Sequence, residues 1–132
     1  MIRFLVDTGA WYAFADREDP DHPAVAQCLE ERIGRLITTN FIFDESVTLI
    51  RHRLGFTAAR TFGEELLAGR PARLLAITRG DEARAWQIFL RYRDKTFSYT
   101  DCTSFAVMRR LGMDTAVTLD KDFRSFGFTC LP

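Results

Sequence analysis

The sequence is poor in the residues that carry most nucleophilic and soft-metal chemistry. Its two histidines, His22 and His52, are too few and too scattered for a histidine metal cluster or a Ser-His-Asp triad. The three cysteines, Cys28, Cys102 and Cys130, are odd in number and widely spaced, with no C-x-x-C pair. That pattern supports neither a disulfide framework nor a thiolate zinc site, and reduced core thiols in a cytoplasmic protein are the expectation. No apolar run approaches the roughly 18 residues that a membrane span needs. The opening MIRFLVDTGAW meets Asp7 too soon to read as a secretory leader. An excess of one charge is lacking as well. Eighteen basic side chains balance eighteen acidic ones, so no overall field argues for a polyanionic partner.

The charge that is present is unevenly spread. Residues 1–50 carry four basic and nine acidic side chains, whereas residues 51–95 carry ten basic and five acidic. A basic middle permits a local phosphate-binding surface, although solvated helix faces account for such runs more often. With 132 residues, 47% of them hydrophobic, the chain suits one domain (1–132) around one core.

Apolar runs and helical spacings alternate along the chain without an internal repeat or a linker. IRFLV (2–6), RLITT (35–39), ARLLAI (72–77), TAVTL (115–119) and FTCL (128–131) read as strands. Between them lie TGAWYAFAD, a helix from Asp21 and Pro23 to Gly34, and FIFDESVTLIRHRL with Asn40 as its expected N-cap. Then come TAARTFGEELLAG, a helix from Thr78 through Trp86, Phe89 and Leu90, and TDCTSFAVMRRLG. Apolar strands alternating with helices predict an α/β fold, a mostly parallel sheet with helices on both faces. Right-handed crossovers then put every strand's carboxyl end on one edge, where such folds bind ligands.

Four acids fall at that predicted edge. Asp7 ends the first strand and Asp120 follows TAVTL directly. Glu45 borders the apolar face of its helix near the N-terminus, while its neighbour Asp44 points to solvent. Asp101 stands where Ser98-x-x-Asp101 would also form a helix capping box, and Asp120 could equally cap KDFRSF. Each acid alone has such an ordinary explanation. Together they would crowd like charges that cannot all ionise uncompensated. Oxygen-only ligands suit magnesium or manganese, and such a cluster without a nucleophilic Ser, Cys or His points to phosphoryl chemistry by activated water.

On these residues the whole chain resembles the PIN-domain ribonucleases, and more narrowly the VapC toxins of toxin–antitoxin modules. The resemblance rests on FLVDTGAWYAFAD, HPAVAQCLEE, LITTNFIFDESVTLIRHRLG and FSYTDCTSFAVMRRLGMDTAVTLDKDF. Gly9 departs mildly from the family, which has Ser or Asn beside the DT pair. The resemblance implies a PIN-like three-layer sandwich and a magnesium- or manganese-dependent endoribonuclease. It implies Asp7, Glu45, Asp101 and Asp120 as catalytic metal ligands, with Asp122 an alternative to Asp120. Thr8 and Ser104 resemble residues that orient ligands or water, and Lys121, Lys95 and Tyr99 would position RNA. Implied partners are the RNA substrate, a small antitoxin and a second copy of the chain, with no membrane.

Two other readings were open to these residues. A haloacid-type phosphatase needs D-x-D after its first strand, where this chain has Asp7-Thr8-Gly9, and Lys121 fits a receiver domain poorly. A catalytically silent PIN-like module that binds RNA or protein is the remaining alternative.

Overall fold

Short apolar runs that end in polar residues form the strands, and they pair side by side in one direction. The computed structural model describes residues 2–132. It places β1 (Phe4–Val6), β2 (Leu36–Thr39), β3 (Arg73–Leu75), β4 (Thr115–Val117) and β5 (Thr129–Leu131) in one sheet of order β3-β2-β1-β4-β5. Every pairing is parallel, with Leu5 beside Ile37 on one side and Ala116 on the other. The helices are α1 (Thr8–Ala15), α2 (His22–Glu30), α3 (Asn40–Leu54), α4 (Phe56–Leu67), α5 (Arg79–Arg91), α6 (Tyr99–Arg110) and α7 (Lys121–Phe126).

The strand order dictates the layers. From β1 the chain steps outward to β2 and β3, then crosses back over to β4 and β5. Right-handed crossovers therefore put α1–α4 on one face and α5–α7 on the other. Each face has its own aromatic packing. Trp11 meets Phe62 edge-on with ring centres 5.6 Å apart, and its indole N–H donates to Thr38 Oγ1 at 3.2 Å. On the opposite face Phe105 stacks on Phe126 at 4.3 Å and meets Phe97 and Phe123 edge-on. The reversal of direction at β1 makes the crevice between the carboxyl ends of β1 and β4 a topological switch point.

One local expectation is corrected. Thr39, not Asn40, caps α3, its side chain accepting from the Ile42 amide. Asn40 is the first helical residue, and its Oδ1 accepts from the Ile77 amide at 2.8 Å, tying α3 to the segment after β3. The expected helix through Trp86, Phe89 and Leu90 is α5, and these three lie on its outward side. They are 49%, 40% and 50% exposed, while Asp81, Ala85 and Ile88 point inward.

Asp81 is fully buried and closes a capping box with Thr78. Arg110 grips its carboxylate with two hydrogen bonds of 2.7 and 3.0 Å, and Arg84 adds one of 3.2 Å. Burial alone pushes this carboxyl up, but the bonds from Arg110, Thr78 and Arg84 outweigh it and hold it well below the usual range. Such a lowered group stabilises the fold fully above the ordinary carboxylate pKa and loses that contribution as pH falls further. Asp81→Ala would leave Arg110 facing an uncompensated site. A loss of about 3 kcal/mol in urea denaturation at pH 7 is expected, and an unchanged midpoint would show the pair to be structurally idle.

Candidate metal centre at the carboxyl edge of the sheet

β1 delivers Asp7 to the switch point directly. The Asp7 amide donates to Val117 O on β4 at 3.0 Å, and its carbonyl accepts from the Trp11 amide as α1 begins. Although Asp7 occupies the N-cap position of α1, its side chain makes no capping bond, so the carboxylate is left to the crevice. Oδ2 accepts from Thr118 Oγ1 at 3.1 Å. The same Thr118 oxygen accepts from the Asp120 amide at 3.0 Å, joining the two acids through one buried hydroxyl.

Asp120 in turn caps α7, its Oδ1 accepting from the Asp122 amide at 2.9 Å. Asp101 lies in the first turn of α6, where Ser98 Oγ accepts from its amide and its Oδ2 accepts from the Ser98 amide. Capping and site-building are therefore the same placement, since each cap engages one carboxylate oxygen and fixes where the other points. Asp7, Asp101 and Asp120 offer oxygens that all lie within 4.8 Å of one another, the first two buried and Asp120 more open. These three, with Thr8, Glu45, Ser98 and Asp122, line a concavity of about 450 Å³. Glu45 is exposed on the rim and accepts from Thr8 Oγ1 at 2.5 Å. Glu45 and Asp122 stand outside the close trio.

The electrostatics show what the trio lacks. Burial, then repulsion from Asp101 and Glu45, raises Asp7 to about 7, against an opposing bond from the Thr8 backbone. Burial, then repulsion from Asp120 and Asp122, raises Asp101 to about 6, against the Ser98 bonds. Asp122 is raised by burial and by Asp120, while Lys121 and Lys95 pull it down. Among the described residues no arginine or lysine forms a salt bridge with Asp7, Asp101 or Asp120. An all-oxygen, positively unpaired donor set fits a hard divalent cation.

The other expected residues fall in different places. Thr8 is buried against Glu45, whereas Ser104 is buried and its hydroxyl has no hydrogen-bond partner among the described residues. Lys95 and Lys121 are exposed beside Asp122. Tyr99 turns away, its hydroxyl donating to Glu82 at 3.0 Å and its ring lying against Phe41. Thr118 was missed by sequence reasoning, and its only signal there is a hydroxyl two positions before Asp120 at a buried strand end.

Fold and site together define a class: three-layer α/β proteins that gather carboxylates for a divalent cation at the edge of a parallel sheet. A family pattern described as the PIN domain matches residues 4–129. The 23S rRNA-specific endonuclease VapC20 of Mycobacterium tuberculosis is 31% identical over 124 residues, 94% of either chain. Ribonuclease VapC26 of the same species is 27% identical over 89% of this chain and 86% of its own. The chain thus belongs to the PIN-domain family, within its VapC group. The crystal structure of VapC20, described as a Sarcin-Ricin loop cleaving toxin, superimposes with a TM-score of 0.90 at 30% identity over 96% of both chains. A DNA-bound VapBC from Salmonella typhimurium shares the fold, with a TM-score of 0.74 at 15% identity over 98% of this chain and 97% of that one.

Raised carboxyl pKa values mean that the folded cation-free protein holds protons the unfolded chain has released. Its stability therefore falls as pH rises from about 4 through 7. Asp7→Asn should stabilise the cation-free protein by roughly 2–4 kcal/mol at pH 7.5 and by less than half as much at pH 5. A divalent cation that raises the melting temperature of the parent protein should not raise that of the variant. Melting curves at both pH values check this, and equal shifts at pH 5 and 7.5 would contradict it. Thr118→Val, which removes the bridging hydroxyl, should weaken manganese binding by about 10- to 100-fold. Thr118→Ser should keep it, as read by calorimetric titration.

Proposed function

We propose that this protein is a magnesium- or manganese-dependent endoribonuclease and the toxin of a toxin–antitoxin pair. The observation that carries this reading is the convergence of Asp7, Asp101 and Asp120 within 4.8 Å in a chain so similar to an rRNA endonuclease. In this reading Asp7, Asp101 and Asp120 hold the cation, Glu45 completes the acidic set, and Asp122 is the alternative to Asp120. When bound, such a cation polarises a phosphoryl oxygen and makes water a stronger nucleophile near neutral pH.

The protein's own groups do the rest. Thr8 fixes Glu45 with one oxygen engaged, and the other would accept a proton. Lys121 and Lys95, exposed beside Asp122, are placed to hold a phosphate of the RNA backbone. Because Asp7 and Asp101 hold protons up to about pH 7 and 6, cation binding competes with protonation and releases protons. Structured RNA is the substrate class that the VapC20 likeness favours. A homodimer and a small antitoxin are the partners the family supports, and an antitoxin arginine placed among the carboxylates would supply the missing positive charge.

The test is incubation of antitoxin-free protein with rRNA, tRNA and mRNA in magnesium, manganese or EDTA. Site-restricted cuts in either metal and none in EDTA are expected. Asp101→Asn should lower the cleavage rate by about 10³-fold or more, a loss of some 4 kcal/mol at the transition state. Asp120→Asn should cost much more than Asp122→Asn, which decides between those two acids. RNA binding without cleavage in any metal would favour the silent module.

A further inference from the structure

We propose that the groove between α5 and α6, lined by Arg84, Gln87, Arg109 and Arg110, is a second contact surface for RNA phosphates. It is separate from the acidic centre, and the proposal rests on the nuclease reading above. The groove encloses about 510 Å³ over an apolar floor of Ile88 and Ala106, and no carboxylate lines it.

Each of its three guanidinium groups is held in place by a neighbouring side chain. Arg110 is gripped by buried Asp81 through Nε and one terminal nitrogen, and Arg84 spends one terminal nitrogen on the same carboxylate. Arg109 lies over the Phe126 ring, 4.3 Å from its centre. Three positive groups against one buried carboxylate leave two uncompensated charges. An arginine has five N–H donors, so most of these remain open to solvent. Arginines already fixed by packing lose less freedom on meeting a phosphate than free surface side chains do.

The location suits a chain that must bind a polyanion with an acidic centre. Affinity for nucleic acid comes chiefly from phosphate contacts, yet this protein has no net charge and its centre repels phosphate until a cation binds. Elsewhere the basic middle of the sequence is already neutralised in part. Arg60 pairs with Glu64 and Arg70 with Glu65 on the α4 side. At the α5–α6 groove three arginines are gathered against the single carboxylate of Asp81. Arg109 and Arg110 follow Asp101 on the same helix by eight and nine residues, about 12–14 Å along its axis. A strand leaving the acidic centre can span that distance in a few nucleotides.

The experiment compares the parent protein with the double variant Arg84→Gln/Arg109→Gln and the single variant Gln87→Glu. Arg110 is kept because it holds Asp81. Fluorescence anisotropy in EDTA measures binding of a long hairpin RNA across a potassium chloride series. Both variants should bind the hairpin about tenfold more weakly. The double variant's log K against log salt slope should be shallower by about one to two, the loss expected for two phosphate contacts. In magnesium, KM for the hairpin should rise with kcat unchanged.

Unchanged hairpin affinity and salt slope in both variants would overturn the proposal. Binding is read without cleavage, so the two readings fail separately. Arginine-dependent binding by a protein that cuts no RNA would sink the nuclease reading and leave the groove. Metal-dependent cleavage with unchanged KM would do the reverse.

Discussion

Repulsion among buried carboxylates is the constraint on which the rest of this structure depends. Asp7 and Asp101 are withdrawn from water and face Asp120 within 4.8 Å, so neither can ionise at its ordinary pKa without a nearby positive charge. A protein that needed only stability would not keep them, because an apolar side chain in the same place would avoid the cost. The fold instead spends its local hydrogen bonds on holding the acids apart and aimed. Ser98 fixes Asp101, Thr118 links Asp7 to the Asp120 backbone, and Thr8 steadies Glu45 at the rim. None of these hydroxyls brings a formal charge, so they orient the site without satisfying it.

Topology explains why these residues, distant in sequence, meet at all. β1 is the central strand, and the chain leaves it in one direction and returns in the other. That reversal opens a crevice beside the carboxyl ends of β1 and β4, which the crossover helices do not cover. Asp7 and Asp120 enter it as the first side chains beyond, or soon beyond, those strands. The N-termini of α3 and α6 bring Glu45 and Asp101 to the same edge, and Asp101, in the first turn of α6, has its charge tempered by that helix's dipole. Trp11 secures the entrance from below, its indole tied to Thr38, which itself donates to Val6 O.

Much of this was legible in the sequence because it depends on period and position. Short apolar runs ending in acids give strands whose ends are marked, and the parallel order then follows from the helices between them. The four acids could be placed on one edge without coordinates. What could not be read is which side chain takes which hydrogen bond. Asp101 and Asp120 each had a capping explanation that competed with a ligand role, and in the structure both acids cap and line the site together. Thr39 displaced Asn40 as a cap because Asn40 found a distant partner in the Ile77 amide. The buried Asp81 binds Arg110, 29 positions along the chain, and nothing in the run from Thr78 to Leu90 signals that partner. Long-range polar pairs of this kind leave no periodic trace.

The even balance of charge acquires a different meaning once the chain is folded. A neutral total usually signals indifference to polyanions, but the total here conceals two separate clusters of opposite sign. Carboxylates are concentrated at the switch point, and arginines are gathered between α5 and α6 around a single buried aspartate. Asp81 serves both sides of that division. It offsets two arginines enough to keep the helices packed, yet it is sealed from solvent and shares only part of their hydrogen-bonding capacity. The acidic centre is therefore left free to select a cation, while attraction for a phosphate backbone can reside at a distance on the same helix that carries Asp101. Separating the two functions along α6 lets one rigid element set both the chemistry and the approach of a long substrate.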